Sequence, residues 1–71
     1  MLIGEVEKNT KERIRVSIEE YKSHKFIDCR VYFEDATGEL KPSKKGITLN
    51  EETIDEVIEL LKQANKKLQE E

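Results

Sequence analysis

Cys29 and His24 are the single thiol and the single imidazole of this 71-residue chain, so a nucleophile beside a base is the first chemistry to test. Five positions separate them, which places them on opposite faces of an unbroken strand. Cys29 also has Ile27 and Val31 two positions to either side, where a cysteine packs as a small hydrophobe. One Cys and one His give neither a disulfide nor a metal framework. The carboxylates fall mostly on expected loops or on a helix exterior, and no pair is spaced for acid–base work. Lys44-Lys45-Gly46 lacks the other glycines of a phosphate loop. These residues argue against an enzyme, and no catalytic residue, metal or cofactor is expected.

Binding chemistry is better represented. Single-stranded nucleic acid is held by cations that follow phosphates and by flat rings on which bases stack. The four aromatics, Tyr21, Phe26, Tyr32 and Phe33, lie within thirteen positions and are interleaved with Lys22, His24, Lys25 and Arg30. Strand aromatics are usually core, and that explanation serves Phe26 and Phe33. Tyr21 fits it poorly, because its neighbours are polar. Arg13 and Arg15 precede this cluster and Lys41, Lys44 and Lys45 follow it. Each cation alone reads as a solvated side chain. Their convergence on adjacent strands points to a cation-lined groove for phosphates.

The elements that must position these groups follow from periodicity. Leu2 to Lys8 is a weak strand pattern, with a turn at Asn9-Thr10-Lys11. Arg13 to Ile18 alternates, with Ile14, Val16 and Ile18 on one face and Arg13, Arg15 and Ser17 on the other. Glu19 to His24 reads as a polar connection. From Lys25 the density of β-branched and aromatic residues marks the strongest strand. Ile27, Cys29, Val31 and Phe33 share its core face; Phe26, Asp28, Arg30 and Tyr32 share the other. Glu34 to Glu39 reads as a hairpin loop with Gly38 at positive φ. The return strand starts at Leu40, and Pro42 requires an edge or a bulge. Ile47 to Leu49 resumes an extended pattern. Asn50 is a fit N-cap, and Ile54, Val57, Ile58, Leu61 and Leu68 recur at helical spacing. This helix is expected to close the domain, with Leu60 off the stripe as a second contact. The organisation is α+β, β-β-β-β-α, one domain over residues 1–71.

The formal net charge is −3. Residues 1–49 carry ten Lys/Arg against nine Asp/Glu, and residues 50–71 carry three Lys against seven Asp/Glu. The acid is concentrated in the helix, which leaves a basic face available elsewhere. A staple-free chain of this length is marginal alone, so a homodimer is expected. No apolar run is long enough to span a bilayer and none is shaped like a signal peptide. With one free cysteine, the expected setting is cytoplasmic.

The run KFIDCRVYFEDATGELKPSKKGITLN resembles the transcriptional coactivator family called positive cofactor four. The matching residues are Tyr21, Lys22, Ser23 and His24, then Ile27, Asp28, Arg30, Tyr32 and Phe33. The Gly-Glu of the loop and the Lys-Pro-x-x-Lys-Gly-Ile string from Lys41 to Ile47 complete the pattern. The resemblance needs no gap from about Val16 to Asn50. It implies a curved four-stranded antiparallel sheet, a C-terminal helix and a homodimer that cradles melted or single-stranded DNA with little sequence preference. It further implies that Tyr21 and Phe33 stack on bases while Lys22, His24, Arg30, Lys41, Lys44 and Lys45 line the groove.

Three departures from the family pattern stand out. Tyr21 and Phe33 replace what are often Phe and Trp. His24 replaces a usual Lys. Glu12 and Glu19 lie in a region that is more basic in eukaryotic relatives. The compact chain is similar to the prokaryotic or viral branch, which implies a nucleoid-associated protein if prokaryotic. Strand parity sets Phe33 with the core while the resemblance sets it against DNA. A bulge before the hairpin would reconcile the two, and a Phe33 buried under the helix would pass the stacking role to Tyr32. The rival readings are a docking module of the transcription machinery, in which the lysines only solubilise, and an RNA-binding protein. Nothing in these residues reads a 2′-hydroxyl.

Overall fold

The computed structural model describes residues 1–70. Four strands run β1 (Leu2–Glu7), β2 (Glu12–Tyr21), β3 (His24–Glu34) and β4 (Leu40–Leu49), followed by α1 (Ile54–Glu70). The sheet is antiparallel throughout, in the order β1-β2-β3-β4, so each strand pairs with its sequence neighbour. No helix among the described residues is long and apolar enough to cross a membrane.

Each turn has a local cause. Between β1 and β2, the Asn9 side-chain oxygen accepts the N–H groups of Lys11 and Glu12 at 3.0 and 2.9 Å. Its amide donates to the Glu12 carboxylate at 2.6 Å, which holds that carboxyl below its ordinary range. Between β2 and β3 the expected six-residue connection shrinks to two residues. Glu19 to Tyr21 stay in β2, where Glu20 faces Lys25 and Tyr21 faces His24. Lys22 and Ser23 make the reversal at φ 51° and 67°. Two successive positive-φ residues form the tight hairpin turn whose twist matches the strands it joins.

The β3–β4 loop is anchored by Asp35. Its carboxylate accepts from the Thr37 hydroxyl at 2.6 Å and from the N–H groups of Thr37 and Glu39 at 2.8 and 3.1 Å. Lys41 Nζ is 3.2 Å away. The Thr37 hydroxyl and N–H bonds, with help from Glu39 and Lys41, pull this carboxyl down to about 2. Gly38 sits at φ 84°, as its place in the loop requires. Pro42 is accommodated because β4 is an edge strand. The strand continues past the proline rather than breaking there, with a bulge between Pro42 and Gly46.

Alternation sorts the sheet into two faces. Ile14, Val16 and Ile18 meet Val31, Cys29 and Ile27 across β2 and β3, and Ile47 and Leu49 extend this apolar face into β4. The helix does not close over it. Asn50 caps a turn at the N–H groups of Glu52 and Thr53, and α1 begins one turn later than the cap suggested, at Ile54. Ile54 reaches the sheet end beside Ile18, Ile27 and Leu49. Beyond it the helix makes next to no contact with the strands. Leu61 and Leu68 of its apolar stripe are 63% and 70% exposed.

The expected closed domain is therefore corrected to an open one: among the described residues no side chain is fully buried. A compact chain of 8.3 kDa exposes about 4,600 Å² by general scaling, whereas this chain exposes 6147 Å². Its radius of gyration is 14.1 Å, against about 11 Å for a compact chain of this length. The helix leaves the sheet after its first turn, so two apolar surfaces are left without a cover among the described residues.

Candidate nucleic-acid interface

The polar face of the sheet gathers six of the expected residues. The β2–β3 ladder is unbroken from Glu12 opposite Phe33 to Tyr21 opposite His24. Arg13 faces Tyr32 and Arg15 faces Arg30, so Arg13, Arg15, Tyr21, His24, Arg30 and Tyr32 share one side. A shallow depression on this side is lined by Glu19, Tyr21, Phe26, Asp28, Arg30 and Tyr32.

Each arginine on this face is already engaged. Arg13 lies 3.8 Å from Glu5 and 4.0 Å from Glu7. Arg15 donates to Glu5 at 2.8 Å and rests its guanidinium 4.8 Å from the Tyr32 ring centroid. Arg30 grips Asp28 at 3.0 Å through a forked pair of donors and is held in its charged form above its ordinary range by that carboxylate. Acids thus interleave with the arginines, so the face is mixed in sign.

The open cations sit at the margins. Lys22, in the β2–β3 turn, holds its ammonium 5.5 Å from the Tyr21 ring centroid. Tyr21 itself is 67% exposed, which accounts for its poor fit to a core role. Lys44 and Lys45 stand out from the β4 bulge. Among the described residues, Lys22, Lys44 and Lys45 form no salt bridge, whereas Lys41 is taken by Asp35.

Phe33 and Lys41 face one another on the opposite, apolar side. Parity therefore holds in β3. The bulge that would have turned Phe33 toward Tyr21 is in β4 instead, where it reshapes the lysine run. Nor is Phe33 buried under the helix; it is 39% exposed at the sheet end. Tyr32 and Phe26 are half-buried, so Tyr21 and Phe33 are the two aromatic rings with open surface. The expected single groove is in one protomer a polar face, a lysine margin and a ring on the far side. Phe26 and Asp28, which strand parity places with Arg30 and Tyr32, line the same depression. Ser43, whose carbonyl accepts from Arg30, was not singled out, and no sequence signal marked it.

The family described as Transcriptional Coactivator p15 (PC4) matches residues 8–60. The RNA polymerase II transcriptional coactivator SUB1 of Saccharomyces cerevisiae is 44% identical over 45 residues, 62% of this chain and 15% of the yeast protein. The chain thus spans a small part of that curated relative. A PC4 homologue from Burkholderia pseudomallei is 31% identical with a TM-score of 0.85, covering 92% of this chain and 88% of that one. MoSub1, solved in complex with DNA, is 33% identical with a TM-score of 0.61, covering 94% and 82%. The bacteriophage T5 homologue of the eukaryotic coactivator PC4 shares the fold, with a TM-score of 0.77 at 18% identity over 97% and 80%.

Proposed function

This chain belongs to the Transcriptional Coactivator p15 (PC4) family, and on that premise we propose that it is a non-enzymatic, coactivator-like protein that binds single-stranded or melted DNA. The observation that carries the reading is the pairing of open rings with open cations. Tyr21 lies beneath the Lys22 ammonium, and Lys44 and Lys45 are exposed on the edge strand and form no salt bridge among the described residues. Bases stack on Tyr21 and Phe33, and phosphates meet Lys22, Lys44 and Lys45. MoSub1, a relative of the same fold, was solved with DNA bound.

The working unit of this proposal is a homodimer. An excess surface of about 1,500 Å² per protomer over a compact chain of this mass has the size of an obligate interface. A second copy supplies a cover for the apolar sheet face and for Leu61 and Leu68. Tyr21 and Phe33 lie on opposite faces and at opposite ends of the β2–β3 ladder, so in this proposal a strand touching both crosses the length of the sheet or passes between protomers.

A gel shift comparing oligo-dT, the same length of duplex and oligo-U tests the proposal. Retardation of dT in preference to duplex is the expected result. A preference for oligo-U would make RNA the ligand. Absence of any shift would leave the second reading, a docking module for transcription machinery, which the name of the yeast relative favours.

A further inference from the structure

We propose that Arg30 is a positioning residue whose guanidinium holds the β4 bulge that presents Lys44 and Lys45. The inference deepens the single-strand reading above and rests on it for its effect on binding.

Apart from its two lysines, the bulge is built from uncharged residues, Pro42, Ser43 and Gly46. Arg30 pairs with Gly46 and Tyr32 pairs with Pro42, so Ser43, Lys44 and Lys45 stand together against Val31 alone. Two of the three residues displaced from the ladder are the open lysines. Pro42 enters without an N–H to be satisfied. The Ser43 hydroxyl donates to the Val31 carbonyl at 2.8 Å and accepts the Lys45 N–H at 3.1 Å. Gly46 lets the strand return: a Cβ there would meet the Cys29 carbonyl oxygen at 2.8 Å and the Arg30 Cα at 3.0 Å.

Arg30 ties these parts to the sheet. Its Nη1 donates to the Ser43 carbonyl at 2.9 Å, while Nε and Nη2 donate to Asp28 at 3.0 to 3.2 Å. The Ser43 carbonyl is thereby satisfied at the point where the ladder fails. All three guanidinium nitrogens are spent on one carboxylate and one carbonyl. A lysine has a single nitrogen and cannot span both partners, although it keeps the charge. That difference separates positioning from phosphate contact.

The test is oligo-dT anisotropy on Arg30→Lys, Arg30→Gln and Ser43→Ala, each alone and with Lys44→Ala/Lys45→Ala, alongside amide exchange at Lys45. A phosphate contact on a single strand is worth about fivefold near 0.1 M salt, from a slope of roughly −0.7 per contact. Arg30→Lys and Arg30→Gln are expected to weaken binding alike, by about fivefold to 25-fold, the loss of one or both lysine contacts. Ser43→Ala, a milder lesion in the same bulge, is expected to weaken it in the same direction. None is expected to weaken it further once both lysines are alanine, and Lys45 amide exchange is expected to accelerate in the Arg30 variants. Wild-type affinity in Arg30→Lys, a further fivefold loss in the alanine background, or unchanged Lys45 exchange would overturn the inference. If the unaltered chain binds no oligo-dT, the proposed function fails, and the exchange rate still decides the role of Arg30.

Discussion

Ser23 occupies a backbone position that its own side chain resists. At φ 67° an L-residue carries a left-handed penalty that glycine escapes, and Lys22 beside it stands at φ 51°. Ser23→Gly is expected to raise stability by about 0.5–1 kcal/mol in thermal melting, with oligo-dT affinity unchanged. Tyr21→Ala and Phe33→Ala test the stacking assignment directly. Each is expected to cost about 1–3 kcal/mol of oligo-dT affinity, while Tyr32→Phe, which keeps the ring under Arg15, is expected to be near neutral. An unchanged affinity in both alanine variants would remove stacking from the account. At this scale the chain was legible where a residue looked out of place. Tyr21 fitted no core role, and it is exposed. The pairing of Arg13 and Arg15 with Glu5 and Glu7 was not legible, because it depends on the register of a strand whose own pattern is weak.

The hairpin between β3 and β4 depends on one carboxylate. Asp35 is held at about 2, below its ordinary 3.8, by Thr37 first and then by Glu39 and Lys41. A depressed carboxyl contributes stability that is complete above the unfolded value and is lost as pH falls through the folded one. Stability is therefore expected to decline as pH drops from about 4 to about 2, and Asp35→Asn is expected to remove that part of the decline. Melting curves of the two proteins across this range check it; parallel profiles would contradict it. An Asp two residues before a Thr is a local signal for such a turn, and it was available in the sequence. The extension of β2 to Tyr21 was hidden, because Glu20 stands where the alternation calls for an apolar residue and is kept in the strand opposite Lys25. Pro42 did announce an edge or a bulge, and β4 is both.

The whole molecule is an unfinished core. Helical spacing in Ile54, Val57, Leu61 and Leu68 states that the helix packs, and it does not state against what. In one protomer it packs against nothing beyond its first turn. Leu61→Asp, which puts a charge on that stripe, is expected to convert the proposed dimer to a monomer by light scattering and to lower the melting temperature together with it. A dimer that survives Leu61→Asp unchanged would place the interface elsewhere. In the proposed dimer, Tyr21 and Phe33 would serve one strand from one protomer or from two, so the same variant also tests the proposed site.

The central claim is that an acidic chain binds a single strand through a small set of open lysines and rings. Fluorescence anisotropy of oligo-dT and of matched duplex at a series of salt concentrations tests it most directly. Tighter binding to dT is expected, with log affinity falling against log salt at roughly −0.7 for each phosphate neutralised. Equal binding of duplex, or dT affinity that ignores salt, would contradict it.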